Sequence, residues 1–198
     1  IKEPGHPVVH ISSTRSADGL TLRLRQERFF ADPSAAADHP AQIWPVPLVI
    51  TYGNADGVQE HRVLLDSAEG ECTVPAADWY FPNGAAAGFY RFAMDADALQ
   101  ALAPVLQEVL APHERLNLLN NQWALLKAGA VTVEQWLILL DGYRTETDRA
   151  VISMVSEQLS WLSAHVVTDD VRPQFEQYVE RFYRPQFTPM GWDPQADE

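Results

Sequence analysis

Gly88-Phe89-Tyr90-Arg91-Phe92-Ala93-Met94-Asp95-Ala96-Asp97-Ala98-Leu99-Gln100-Ala101-Leu102 changes its hydrophobic period at Asp95. Phe89 to Phe92 has the aromatic content of a strand. Beyond Asp95, Leu99, Leu102, Leu106 and Val109 fall on one helical face, with Pro104 expected to kink or split the element. Upstream, Leu20, Leu22 and Leu24 alternate with Thr21, Arg23 and Arg25, the period of a strand with one buried face. Val8 to Ile11, Trp44 to Tyr52, His61 to Leu65, Glu71 to Val74 and Trp79 to Phe81 are further strand candidates. Ala17-Asp18-Gly19, Asn54-Ala55-Asp56-Gly57 and Asn83-Gly84 are turn signals between them. About seven short strands with such turns predict a β-sandwich. Pro45 and Pro47 place their segment on an edge, and Asp32 to Pro40 reads as a surface loop.

Downstream, Leu116, Leu119, Trp123 and Leu126 form a second helical stripe, closed by Gly129 at a C-terminal cap. Thr132-x-x-Gln135 is a capping box opening a third helix, with Val133, Trp136, Leu137 and Leu140 inward. Val151, Val155, Leu159 and Leu162 mark a fourth. Thr168-Asp169-Asp170 caps a fifth, carrying Val171, Phe175, Tyr178 and Phe182 and ended by Pro185. The expected fold class is α+β in two segregated domains. An antiparallel β-sandwich (1–95) precedes an all-α helical array (96–198).

Net charge is −13, split −5 through Asp95 and −8 after it. Nucleic-acid binding needs a positive footprint, and none is visible. No apolar run reaches the ~18 residues that span a bilayer. The N-terminus shows no signal-peptide pattern, and the expectation is a cytoplasmic chain with no membrane partner. Cys72 is the single cysteine, so an internal disulfide is impossible; it reads as a small core residue.

Catalytic patterns fail one by one. His113-Glu114 begins a zinc-helix motif, but Asn117 stands where the second histidine belongs. His6 and His10 share the spacing, yet Pro7 and the Val-Val-x-Ile pattern argue for a strand, where side chains four apart are ~13 Å apart. There is no G-x-S-x-G and no phosphate-binding glycine loop. Asp169-Asp170 and Glu146 with Asp148 are explained by anions at helix starts.

Several short motifs recur in a fixed order: Gly5-His6-Pro7-Val8-Val9, Gln26-Glu27-Arg28-Phe29, Trp44-Pro45-Val46-Pro47-Leu48, and Asn83 followed by Gly88-Phe89-Tyr90-Arg91. Glu114-Arg115-x-x-Leu118-Leu119, Trp123-Ala124-Leu125 with Ala128-Gly129, Glu146-Thr147-Asp148 and Gly191-Trp192 complete the series. From Gly5 to Trp192 it resembles the region after the catalytic domain in the aminopeptidase N family of zinc metallopeptidases. The resemblance implies a sandwich followed by the start of a helical domain with HEAT- or armadillo-like layers, truncated at the C-terminus. It implies a non-catalytic piece that closes and shapes a peptide-binding chamber and packs on a catalytic domain of the same polypeptide. No cofactor is implied in this chain; zinc, its ligands and the general base would belong to the parent, which acts on peptides. The isolated chain is accordingly expected to bind no stoichiometric zinc and to be inactive. Arg28, Trp44, Arg91, Glu114, Arg115, Glu146, Asp148 and Trp192 are the candidate structural or interdomain residues, with Arg115 expected in a buried ion pair between helices. Asn120-Asn121 stands where the family often has an Asp, which argues against an acid role there. Severed docking faces should expose apolar side chains along the strand from Pro7 and at Trp161, Phe182, Phe187 and Trp192. The rival reading is a free-standing interaction scaffold with a polar exterior.

Overall fold

The computed structural model describes residues 5–17 and 19–187. Seven strands come first: β1 (Pro7–Ser16), β2 (Gly19–Arg28), β3 (Val46–Asn54), β4 (Gly57–Leu65), β5 (Glu69–Val74), β6 (Trp79–Phe81) and β7 (Arg91–Met94). Six α-helices follow: α1 (Ala96–Leu102), α2 (Leu106–Val109), α3 (Pro112–Lys127), α4 (Val133–Leu140), α5 (Arg149–His165) and α6 (Arg172–Phe187). The strands form a four-stranded sheet, order β5-β2-β1-β7, and a three-stranded sheet, order β4-β3-β6. All pairings are antiparallel except β1 with β7, which is parallel. The sheets face each other across Val9, Leu22, Leu24, Leu48, Ile50 and Phe81, and the Phe81 and Phe92 rings meet edge-to-face at 5.6 Å. Fully burying a side chain of this size contributes about 1.5–3 kcal/mol.

Asp95 joins the two halves. One carboxylate oxygen accepts from the Ala98 N–H and caps α1. The other accepts from the Ser13 N–H and hydroxyl on β1. The apolar core then continues without a break through Leu99, Leu102 and Leu106 into the helical layers, where Trp136, Tyr143, Val151, Val155 and Phe182 are buried. Pro104 lies between α1 and α2, which form as two short helices, as its missing N–H requires.

Several expectations need correction. Pro47 is not on an edge strand: β3 is the centre of its sheet. The proline is tolerated because β6 pairs only with Thr51–Gly53, leaving Pro47 with a neighbour on one side. The loop after Asp32 contains a 3-10 helix, Pro33–Asp38, capped by the Asp32 carboxylate accepting from the Ser34 N–H. Phe89 precedes β7 instead of lying in it. On α3 the inward face includes Leu118, Leu119, Trp123 and Leu125 together with four polar residues, while Leu116 and Leu126 are half-buried. On α4, Trp136, Leu139 and Leu140 point inward, with Val133 exposed and Leu137 half-buried. Helix α6 continues through Pro185 to Phe187, and of its predicted stripe only Phe182 is fully buried. Cys72 is partly buried against the core.

Candidate functional site at one end of the sandwich

Helix α3 supplies polar groups to the end of the molecule where β7 meets the helices. β7 is an outer strand, and α3 completes it with a side chain. The Asn121 amide accepts from the Phe92 N–H at 3.0 Å and donates to the Phe92 carbonyl, so one side chain takes the place of a neighbouring strand. Just upstream, Asn83 is buried and turns the chain. Its Oδ1 accepts from the Gly88 N–H at 2.8 Å, and its Nδ2 donates to Asn117 Oδ1 at 3.1 Å. Glu114 accepts from the Ala85 N–H at 2.7 Å and from the Ala111 N–H at 2.8 Å, tying the loop to the first turn of α3. The loop is held in an unfavourable shape. Ala85 (φ 56°) and Ala86 (φ 50°) both occupy the left-handed region, which costs of order 1–3 kcal/mol for each residue so held. Gly88 admits no side chain, because a Cβ would lie 2.0 Å from the Tyr90 ring. The Tyr90 hydroxyl donates to the Pro82 carbonyl at 2.6 Å and closes the loop.

This scaffold presents Phe89, 84% exposed. The His6 ring lies 5.6 Å from Phe89 and 5.3 Å from Phe29. The Arg91 guanidinium sits over Phe29 at 5.8 Å, and Arg28 over Trp44 at the same distance. Arg28 also donates to Gln42, while its buried Nε has no partner among the described residues. Burial, followed by the Arg91 charge, pushes the His6 imidazole below its ordinary value, so it is neutral at physiological pH. The His6, Phe29 and Phe89 cluster thus combines exposed aromatic surface with the Arg91 guanidinium.

A second network lies among the helices. Arg115 Nε donates to Glu146 Oε2 at 2.6 Å and an Arg115 terminal nitrogen donates to Oε1 at 2.7 Å, with both side chains buried. Glu146 also accepts from the Thr147 and Asp148 N–H groups, and Asp148 caps α5 by accepting from the Ala150 and Val151 N–H groups. Burial alone would raise the Glu146 carboxyl; the hydrogen bonds from Arg115, Asp148 and Thr147 and the Arg115 charge hold it below the usual carboxylate range.

Of the residues chosen from sequence, Arg91 lies at the exposed end, Arg28 and Trp44 pair with each other, and Glu114 anchors the Phe89 loop. Arg115, Glu146 and Asp148 form the helical network. Trp192 lies outside the described residues, as does Asp18 of the first turn signal. Sequence reasoning left out Gln26, Asn83, Asn121, His6 and Phe89. Gln26, buried on β2, donates to the Trp44 and Ser67 carbonyls and accepts from the Trp44 N–H, which links the two sheets. Four of these five stood inside motifs already noted; Asn121 was read only as a departure from the Asp the family often has there, with no structural role assigned. Among the described residues, no group of three or more His, Cys, Asp or Glu is placed to hold a metal ion. None of those helices is long and apolar enough to cross a membrane.

A family model described as the ERAP1-like C-terminal domain matches residues 79–198. The chain belongs to that family. Its ERAP1-like region begins at β6 and includes the strained loop, β7 and every α-helix. The whole chain is similar to puromycin-sensitive aminopeptidase of Caenorhabditis elegans, 25% identical over 203 residues, covering 100% of this chain and 21% of the relative. Tricorn protease-interacting factor F2 of Thermoplasma acidophilum is 27% identical over 162 residues, covering 82% and 18%. Endoplasmic reticulum aminopeptidase 2 of Homo sapiens is 25% identical over 190 residues, covering 88% and 19%. The chain spans about a fifth of the length of these relatives. It corresponds to a C-terminal region of the M1 aminopeptidases.

Proposed function

We propose that this ERAP1-like region is a non-catalytic portion of a zinc aminopeptidase. It packs on the catalytic domain of the same polypeptide and helps to close and shape a peptide-binding chamber. In this reading 1–95 is the sandwich domain and 96–198 the helical domain. The zinc and the hydrolytic groups belong to the catalytic domain.

The observation that supports the docking is Phe89. A phenylalanine held almost fully in solvent on a loop with two left-handed alanines is costly unless something covers it. His6, Phe29 and Arg91 extend the same surface, and an Arg-and-aromatic composition is what buried interface centres favour. On the outer helices Trp161 (40% exposed) and Phe187 (51%) are partly exposed at separate places, whereas Phe182, expected exposed, is fully buried in the core. The expected surface along β1 is absent, since Val8 and Val9 are buried between neighbouring strands; the exposed ring beside it is Phe89.

The test is Phe89→Asp in the full polypeptide. The expected result is weakened aminopeptidase activity on peptides and easier proteolytic separation of the two parts, with the far-UV signal of the sandwich unchanged. Unaltered proteolysis and activity would reject the docking face.

A further inference from the structure

The four strand ends of the two sheets are protected unequally. β7 is covered by Asn121 of α3. β6 is three residues long. β5 presents Glu69 and Glu71 on its exposed face, so a second like strand would meet repulsion. β4 differs from all three. It is nine residues long and pairs with β3 in unbroken register from Gly57 to Leu65. It contains no proline, lysine or bulge, the usual devices against strand addition. Among the described residues no strand lies on its other side. Its outward face reads Val58, Glu60, Arg62, Leu64, with Val58 54% and Leu64 58% exposed.

That order is self-complementary. Two copies running antiparallel, with His61 opposite its counterpart, place Glu60 opposite Arg62 and Val58 opposite Leu64 on both sides of the two-fold axis. Sliding the register by two residues either way sets Glu60 against Glu60 or Arg62 against Arg62. Charge therefore selects one register, and in it the two exposed apolar side chains cover each other. We infer that β4 is a homodimerisation edge, where a second copy of this chain adds its own β4 to build a continuous sheet of β6-β3-β4 and its symmetry mate. Today's Arg62–Glu60 contact within the strand, 3.3 Å, is exposed and is replaced by two contacts between copies. This surface is separate from the Phe89 end and does not depend on the docking proposed there.

Charge reversal tests it. Sedimentation equilibrium of the 198-residue chain should show a concentration-dependent dimer. Glu60→Arg or Arg62→Glu alone creates two like-charge oppositions by symmetry and should raise the dimer Kd at least about tenfold. Added salt should strengthen these variants and weaken the wild type. An equimolar mixture of the two variants restores both ion pairs and should form a heterodimer, and the double variant should dimerise with itself. Circular dichroism checks that each variant is folded. A wild type that is monomeric at every concentration, a dimer indifferent to both reversals, or a mixture that stays monomeric overturns the proposal. A dimer broken by Phe89→Asp but not by these changes also overturns it.

Discussion

Helix α3 buries eight of its sixteen residues, whereas α6, also sixteen residues long, buries only Phe182. Half of the buried set on α3 is polar: Glu114, Arg115, Asn121 and Gln122. Through three of these, α3 completes β7, fixes the Phe89 loop and engages the start of α5. α6 lies on α5 with Phe175, Tyr178 and Val179 only half covered and Phe187 half exposed beside the Tyr183 ring. The contrast separates two ways of positioning a helix. α3 is specified by buried directional bonds; α6 rests on one side through apolar contact, with directional bonds at its margin, among them a Tyr183–Ser156 hydroxyl pair at 2.7 Å and Gln186 donating to the Tyr143 carbonyl at 3.3 Å.

The largest expected effect falls on the α3 side. Arg115→Ala leaves the Glu146 carboxylate buried without its partner and should cost about 3–5 kcal/mol, measured by urea unfolding. A loss below about 1 kcal/mol would make the pair equivalent to a surface ion pair and would erase the contrast with α6. Next comes Asn121→Leu, which keeps the volume but strips β7 of its surrogate neighbour. Leaving Phe92 N–H and C=O unpaired should cost about 2 kcal/mol, with faster amide exchange at Phe92.

The acid limb sharpens the comparison further. The folded Glu146 carboxyl lies below its ordinary value of 4.5. Its contribution is therefore complete above that value and is lost as pH falls through the lower folded value. Between about pH 5 and pH 3 the wild type should lose more stability than Glu146→Gln; parallel curves would remove the pair from the account of acid sensitivity. The smallest effect belongs to α6. Phe187→Ser, at an exposed position, should change stability by no more than about 0.5 kcal/mol. A larger loss in the isolated chain would mean that α6 is already buried against something.

The elements themselves were legible from residue type. The alternation at Leu20, Leu22 and Leu24, the break at Pro104, the Thr132 capping box and the Val151–Leu162 stripe all correspond to observed structure. These are local signals, set by sterics and by which face meets the core. Leu119 and Trp123 on the inward face of α3 were legible, but its Asn121 and Glu114 were not, because a binary reading assigns them to solvent. They point inward since β7 and the Ala85 turn offer unpaired backbone groups that only polar side chains can satisfy. The partner of Arg115 was equally hidden: Glu146 is 31 residues away, and no spacing rule connects them. Phe89 was read as a strand residue because aromatic content marks strands; its exposure depends on the left-handed turn before it, and alanine gives no warning of such a turn.

The parallel pairing of β1 with β7 sets an order for making the molecule. β1 and β2 form a hairpin that can zip up early, but the second neighbour of β1 is specified only when Met94 has been synthesised. The contact between Ser13 and Asp95 closes a span of 82 residues, a non-local step that slows folding. While the chain emerges, Val8, Val9 and Ile11 therefore sit on an open edge, with nothing yet made to cover it. Asp95 then seals that edge and starts the first helix with the same carboxylate. Completion of the sheet and initiation of the helical layers are in this way a single event on the ribosome's timetable, and a nascent chain halted before Asp95 would be the form most exposed to aggregation.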